Sequence, residues 1–317
     1  MILSFVSLKT LRLDNFLREK LPSVPELAGK DLSNSKIRRL ILAGCVSVNS
    51  RQSVRPAFEL RGRSTVTVNL DVEKFFFEKQ PDDIEFVLTE KDVLFEDDVI
   101  IVVNKPAFLP VEQTITGNRK NLHDAVVDYL WKQNPSLRNP PYAGIMHRLD
   151  RETSGVILFT KSRSVNKAVH DMFENHTCQK TYHALISETP AVLKCGQNSF
   201  TVEKSLGRIS ASSQAAKWGS VAESKGGLYA KTVFRILGPV ALKTAAGLKK
   251  TILIEAKPFT GRTHQIRVHS SENGMPLLGD KLYGGEKWNR VMLHAFSLEF
   301  PHPITGKLMQ ISVRAPW

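Results

Sequence analysis

The chain has 317 residues, 42% of them hydrophobic, enough for one large core and a small additional module. Its three cysteines, Cys45, Cys178 and Cys195, are too few and too far apart for a disulfide framework and fit a reducing compartment. Forty-four basic residues against 31 acidic ones leave a net charge of +13, which points to a polyanionic partner, nucleic acid before others. The opening "MILSFVSLKTLRLDNFL" has no basic start and is interrupted at Lys9 and Arg12, unlike a signal peptide. No apolar run approaches the roughly 20 residues that span a bilayer. The expected setting is therefore cytoplasmic, with no membrane contact.

Charge divides the chain: residues 1–70 carry +7, 71–100 carry −8 and 101–317 carry +14. In "TLRLDNFLREKL" the spacing sets Leu11, Leu13, Phe16, Leu17 and Leu21 on one helical face. In "SNSKIRRLILAGCVSVNS", Ser35 is predicted to cap a helix from Lys36 to about Ala43, with Gly44 as its stop. Ile37, Leu40 and Ile41 would face inward, and Lys36, Arg38 and Arg39 outward. "VSVNSRQSV" reads as a strand, a tight turn and a return, and "STVTVNLDVE" as a further strand. These spacings resemble the RNA-binding domain named after the fourth small-subunit ribosomal protein. The resemblance makes residues 1–70 an RNA-binding module, with Lys36, Arg38 and Arg39 as its RNA-facing cations. Residues 71–97 read as an acidic connector, and residues 98–317 as the main domain.

There, "VIIVVNK", "VILFTKS", "TYHALIS", "KTILIEAK" and "MQISVRA" are short β-branched strands, and "NLHDAVVDYLWKQ" and "SRSVNKAVHDMFENH" have helical spacing. Without regular strand–helix alternation, the expected class is α+β: a mixed, mainly antiparallel sheet with flanking helices, beside the small N-terminal α/β module. Residues 191–250, rich in Ser, Gly, Ala and Lys, read as a hairpin excursion.

Phosphate-loop, dinucleotide-turn and nucleophile-elbow motifs are missing, and so is CxxC. His264 and His269 are five apart, on opposite faces of a strand or about 140° apart on a helix, so they do not share a metal. No metal and no cofactor are expected. Acid, base and nucleophile side chains must do the chemistry.

The sequence "HRLDRETSGVILFTKS" sets Asp150 at the mouth of an apolar strand. A carboxylate so placed is either paired or functional. From composition alone, a surface ion-pair cluster is the favoured reading. The same stretch resembles the signature of the RluA-type family of RNA pseudouridine synthases. "LFEDDVIIVVNKPAFLPV" ahead of it, and "KTYHALI", "GRTHQIRVHSSENGMPLLGDKLYGG" and "FPHPITGKLMQISVRAPW" after it, stand in the family's order. The resemblance, with its N-terminal module, implies isomerisation of uridine in large-subunit ribosomal RNA; the sequence sets no oligomeric state, and a monomer is the default expectation. Asp150 would be the catalytic aspartate, Tyr182 the tyrosine packed on the target base and Arg267 the partner of the aspartate. Arg148 would fill the space left by the extruded base. An arginine within about 4–6 Å would hold Asp150 charged. The reaction needs no redox step and no net hydrolysis. Whether the carboxylate attacks the sugar carbon or the uracil ring stays open.

His147, Arg262, Thr263 and His264 complete the expected substrate-binding set. Thr263 is predicted to cap a helix that starts at His264 and stops at Gly274, which would leave Arg262 at a positively polarised N-terminus suited to phosphate. Lys105 before Pro106 reads as a turn residue rather than a base. The family pattern is broken at Phe108, where a Gly is usual, at "VEQT", and at Glu152, where Asp is commoner. Two other readings compete: a non-catalytic RNA-binding or assembly factor on the same scaffold, and a hydrolase using Asp150 and Glu152 as a pair.

Overall fold

The computed structural model describes residues 1–27, 32–53, 55–70, 83–112, 119–187, 198–210, 217–244 and 247–317. Residues 71–82 of the expected acidic connector and part of the 191–250 excursion thus lie outside the described residues. The chain forms two compact units, residues 1–83 with 113–121, and residues 84–112 with 122–317. No helix among the described residues is long and apolar enough to cross a membrane.

In the first unit a four-stranded antiparallel sheet runs in the order Ile2–Ser7, Ser64–Asn69, Val46–Val48, Arg51–Gln52. Helices α1 (Leu13–Lys20) and α2 (Asn34–Leu42) bury Leu13, Phe16, Leu17, Ile37, Leu40 and Ile41 in its core. Leu11 lies just ahead of α1, in a two-residue strand paired with Leu60. The hairpin turn is made by Asn49 and Ser50, both left-handed at φ 49° and 65°, as a two-residue turn matching the strand twist requires. Gly44 ends α2 at φ 72°, and a Cβ there would stand 2.0 Å from Gln52 Nε2. Two expectations are corrected. The cap of α2 is Ser33, which accepts from the Lys36 amide, not Ser35. Lys36, one turn ahead of Leu40 on the inward face, is buried, while Arg38 is exposed 3.5 Å from Asp14 and Arg39 is half-buried.

The second unit is a mixed sheet. Its strands are β1 (Val93–Glu96), β2 (Ile100–Lys105), β3 (Ser154–Thr160), β4 (Gln179–Ser187), β5 (Ser199–Arg208), β6 (Trp218–Ser220), β7 (Leu228–Thr244), β8 (Gly247–Pro258), β9 (Leu293–Pro301) and β10 (Leu308–Ser312). The order is β6-β5-β7-β8-β4-β9-β3-β2-β1, with β10 against β9. All of these pairs are antiparallel except β3 with β9. Helices α3 (Leu122–Gln133), α4 (Asn166–Glu174) and α5 (Gln265–Glu272) flank it. The excursion thus supplies the β5–β6 and β7–β8 strands.

Strand β3 is buried at all seven positions. Ile157 and Phe159 enter one apolar cluster, with Leu122, Val126 and Leu130 of α3. Val156 and Leu158 enter another, with Val169 and Met172 of α4. A strand covered on both faces reads as a continuous apolar run instead of an alternation, which is the abrupt change seen after Gly155.

Candidate active site

Only two residues of β3, Ser154 and Gly155, pair with β9, opposite His294 and Ala295. The approach there is so close that a Cβ on Gly155 would lie 2.2 Å from the Ala295 carbonyl oxygen, and Gly155 has φ 116°. Glycine alone fits both demands. Beyond this point β3 leaves β9, and the Leu158 amide is met by His147 Nε2 at 3.0 Å. The chain ahead of β3 is folded back into a turn in which the Thr153 amide donates to the Asp150 carbonyl at 3.0 Å. Asp150 therefore sits on a turn rather than in the strand.

Lys105, at the end of β2, clamps this turn from beneath. It is fully buried, and its Nζ donates to the carbonyls of Pro106 (2.9 Å), Leu109 (2.7 Å) and Arg151 (3.0 Å). Burial pushes the ammonium down to about 7, against the attraction of Asp150. Three acceptors match the three protons of the charged form, since a neutral amine has one fewer to give. Arg290 donates to the Glu152 carbonyl at 3.3 Å from the other side. Phe108 holds φ 65°, the left-handed conformation that suits the Gly usual there, and its ring lies 5.3 Å from the Arg151 guanidinium. Arg148 projects from the turn, exposed, in an ion pair with Glu112.

Asp150 meets Arg267 across the sheet, Oδ2 to Nη1 at 3.3 Å. Arg267 rises from α5, and its guanidinium is itself gripped by Asp280, Nε to Oδ2 at 2.7 Å and Nη2 to Oδ1 at 2.8 Å. Asp280 is fully buried. Burial opposes the charge of Arg267, but the hydrogen bonds and charge of Asp280, with Asp150, raise its affinity for the proton. The arginine thus spends its bidentate edge on Asp280 and presents one nitrogen to Asp150. His264 Nε2 lies 3.8 Å from the same Asp150 oxygen. It stands at φ 56°, a strained setting for a side chain that is kept where surrounding contacts hold it.

Tyr182 lies on β4 where its pairing with β9 slips by one residue, a bulge beside the site. Burial first, then the charge of Asp150, raise its phenol above the ordinary value. The structure therefore brings Asp150, Arg267 and His264 into contact, with Tyr182 near enough for the Asp150 charge to act on its phenol. The other expected residues fall elsewhere. His147 stacks on Phe173 at 4.6 Å, and burial, with Lys180, pushes its imidazole down to about 3. With Nε2 committed to Leu158, that residue braces the fold. Arg262 is exposed, its Nε donating to the Tyr229 carbonyl at 3.0 Å. Thr263 makes no cap: α5 begins at Gln265 after the left-handed His264, and the Gln265 side chain accepts from the Arg262 amide at 3.0 Å instead. Glu152, the other carboxylate of the hydrolase reading, accepts from the Val291 amide at 3.1 Å.

Asp280, Lys105 and Arg290 were not expected at the site. The one signal available for Asp280 was a carboxylate amid "MPLLGDKLYGG", a setting in which burial demands a cationic partner.

Residues 99–272 match the family described as RNA pseudouridylate synthase. The ribosomal large subunit pseudouridine synthase D of Zymomonas mobilis is 31% identical over 297 residues, 90% of this chain and 86% of that protein. The ribosomal large subunit pseudouridine synthase C of Escherichia coli (strain K12) is 31% identical over 313 residues, 95% of this chain and 88% of that one. The fold is similar to that of human RNA Pseudouridylate Synthase Domain Containing 1, with a TM-score of 0.55 at 23% identity over 75% of this chain and 86% of that one.

Proposed function

Since the chain belongs to the RNA pseudouridylate synthase family, we propose that it converts particular uridines of large-subunit ribosomal RNA to pseudouridine, in the cytoplasm, as a monomer, with Asp150 as the attacking group. The observation that carries this reading is the contact of Asp150 with one nitrogen of an arginine whose other edge is fixed by a buried carboxylate.

The reaction breaks the bond from uracil N1 to the sugar, turns the base, and closes a bond from C5 to the same sugar carbon. One proton leaves C5 and one arrives at N1, so no electrons are exchanged and no co-reactant is consumed. Asp150 begins the exchange by attack on the sugar carbon or on the ring. Tyr182, held neutral by its raised phenol, offers an aromatic face against which the uracil turns. The base reaches this site only when extruded from its stack, at a cost of roughly a few kcal/mol. Arg148, exposed beside Asp150, offsets that cost by entering the gap once it releases Glu112. Arg38 and Arg39 of the first unit would bind phosphate. Lys36, being buried, drops out of that set.

The test is incubation of purified protein with large-subunit ribosomal RNA transcripts, with pseudouridine counted by mass spectrometry. Wild type should convert discrete uridines, and Asp150→Asn should convert none while binding the RNA within a few-fold of wild type. Conversion by Asp150→Asn would refute the reading. Binding without conversion by wild type would favour a non-catalytic factor.

A further inference from the structure

The second group that reaches Asp150, His264, is controlled from outside the site. Its Nδ1 lies 2.9 Å from the hydroxyl of Tyr283. That hydroxyl also lies 3.0 Å from the backbone nitrogen of Trp218, on β6 within the 191–250 excursion. An amide nitrogen can only donate, so the Tyr283 oxygen accepts from Trp218, and its single proton is left for His264 Nδ1. A neutral imidazole that accepts at Nδ1 carries its proton on Nε2. The Tyr283 ring meanwhile lies 5.1 Å from the Arg267 guanidinium and edge-on to the His264 ring at 5.7 Å. One tyrosine thus touches both groups that reach Asp150.

We infer that Tyr283 is a positioning residue: with the Trp218 amide, it fixes the tautomer of His264 so that the Nε2 proton faces Asp150. This rests on the reading that Asp150 acts on the nucleoside. Both His264 and Arg267 approach Oδ2, which leaves Oδ1 outside the two contacts as the oxygen presented to the uridine. Closing the 3.8 Å gap by about 1 Å would bring His264 Nε2 within hydrogen-bond range. Burial lowers the proton affinity of His264, which agrees with a neutral ring; Asp150 opposes this and Arg267 reinforces it. The left-handed backbone at His264, costly for a side chain, is the conformation that turns the two ring nitrogens toward Tyr283 and Asp150. The excursion gains a role as well, since it delivers the Trp218 amide.

The experiment uses the full chain with ¹⁵N-labelled histidine, and reads the His264 tautomer from long-range ¹H–¹⁵N spectra at pH 7.5, with His264→Gln for assignment. Wild type should show the Nε2–H form. Tyr283→Phe keeps the ring against Arg267 but loses the hydroxyl. It should mix or invert the tautomer and lower kcat about tenfold, with KM for RNA within about twofold. A wild-type His264 in the Nδ1–H or doubly protonated form overturns the inference without any variant. So does an unchanged tautomer in Tyr283→Phe, or a changed one with unchanged kcat. The spectra can be read whether or not RNA is turned over, so failure here is separable from failure of the proposed reaction.

Discussion

Replacing Asp280 by Asn changes one oxygen to an NH₂ group at a fully buried position. The Asn oxygen can accept one of the two Arg267 N–H groups that now bond at 2.7 and 2.8 Å, and the amide nitrogen then faces the other, donor against donor. Each hydrogen bond to a charged group is worth about 1.5–3 kcal/mol, and breaking one side of a buried ion pair costs about 3–5 kcal/mol. Asp150 remains as a counter-charge at 3.3 Å, so the lower end applies, about 3 kcal/mol. Function should suffer separately. Freed from Asp280, Arg267 turns its bidentate edge onto Asp150 and occupies the oxygen needed for attack, and displacement on the scale of 1 Å can cost about 100-fold. Urea unfolding followed by tryptophan fluorescence reads the first effect, and single-turnover isomerisation the second, with RNA affinity little changed. A stability loss below about 1 kcal/mol together with full turnover would refute the view that Asp280 aims Arg267.

Phe108 carries a second expectation. Left-handed backbone costs a non-glycine residue about 1–2 kcal/mol. Phe108→Gly should therefore be more stable than Phe108→Ala by about 1 kcal/mol, the reverse of the usual order, in thermal or urea unfolding. His147 binds its proton near 6.5 when unfolded and at about 3 when folded. Between these values the unfolded state holds more protons, so stability is lost as pH falls through this window, at up to about 1.4 kcal/mol per pH unit. His147→Gln, which can still accept from Leu158, should remove that share of the slope between pH 6.5 and 5. Arg38→Glu with Arg39→Glu should weaken RNA binding and lower the salt slope by about 0.7–0.9 for each phosphate no longer neutralised. An unchanged slope would remove the first unit from the RNA interface.

What could be read from the residues was what depends on spacing. The helices over 122–133 and 166–174 have apolar periodicity that packing then uses. Asp150 stood out because a carboxylate touched an apolar run. Spacing failed where a single backbone torsion decided the outcome. At α5 the left-handed His264 delays the helix to Gln265 and replaces a threonine cap with a glutamine side chain. At α2 the inward residues were read as Ile37, Leu40 and Ile41, but Lys36 lies four residues before Leu40 on that same face and goes inside. His147 looked like a substrate ligand among charged neighbours, but its place was set by an amide that β3 leaves unpaired when it parts from β9. Asp280 and Tyr283 belong to contacts made 13 and 19 residues away along the chain, which no local pattern encodes.

If the Asp150 carboxylate performs the isomerisation, a pseudouridine map of all cellular RNA, wild type against a strain carrying Asp150→Asn, tests it most directly. A small set of large-subunit ribosomal uridines should lose modification completely in the variant, with its protein level and RNA binding retained. An identical map in the two strains would contradict the assignment of Asp150.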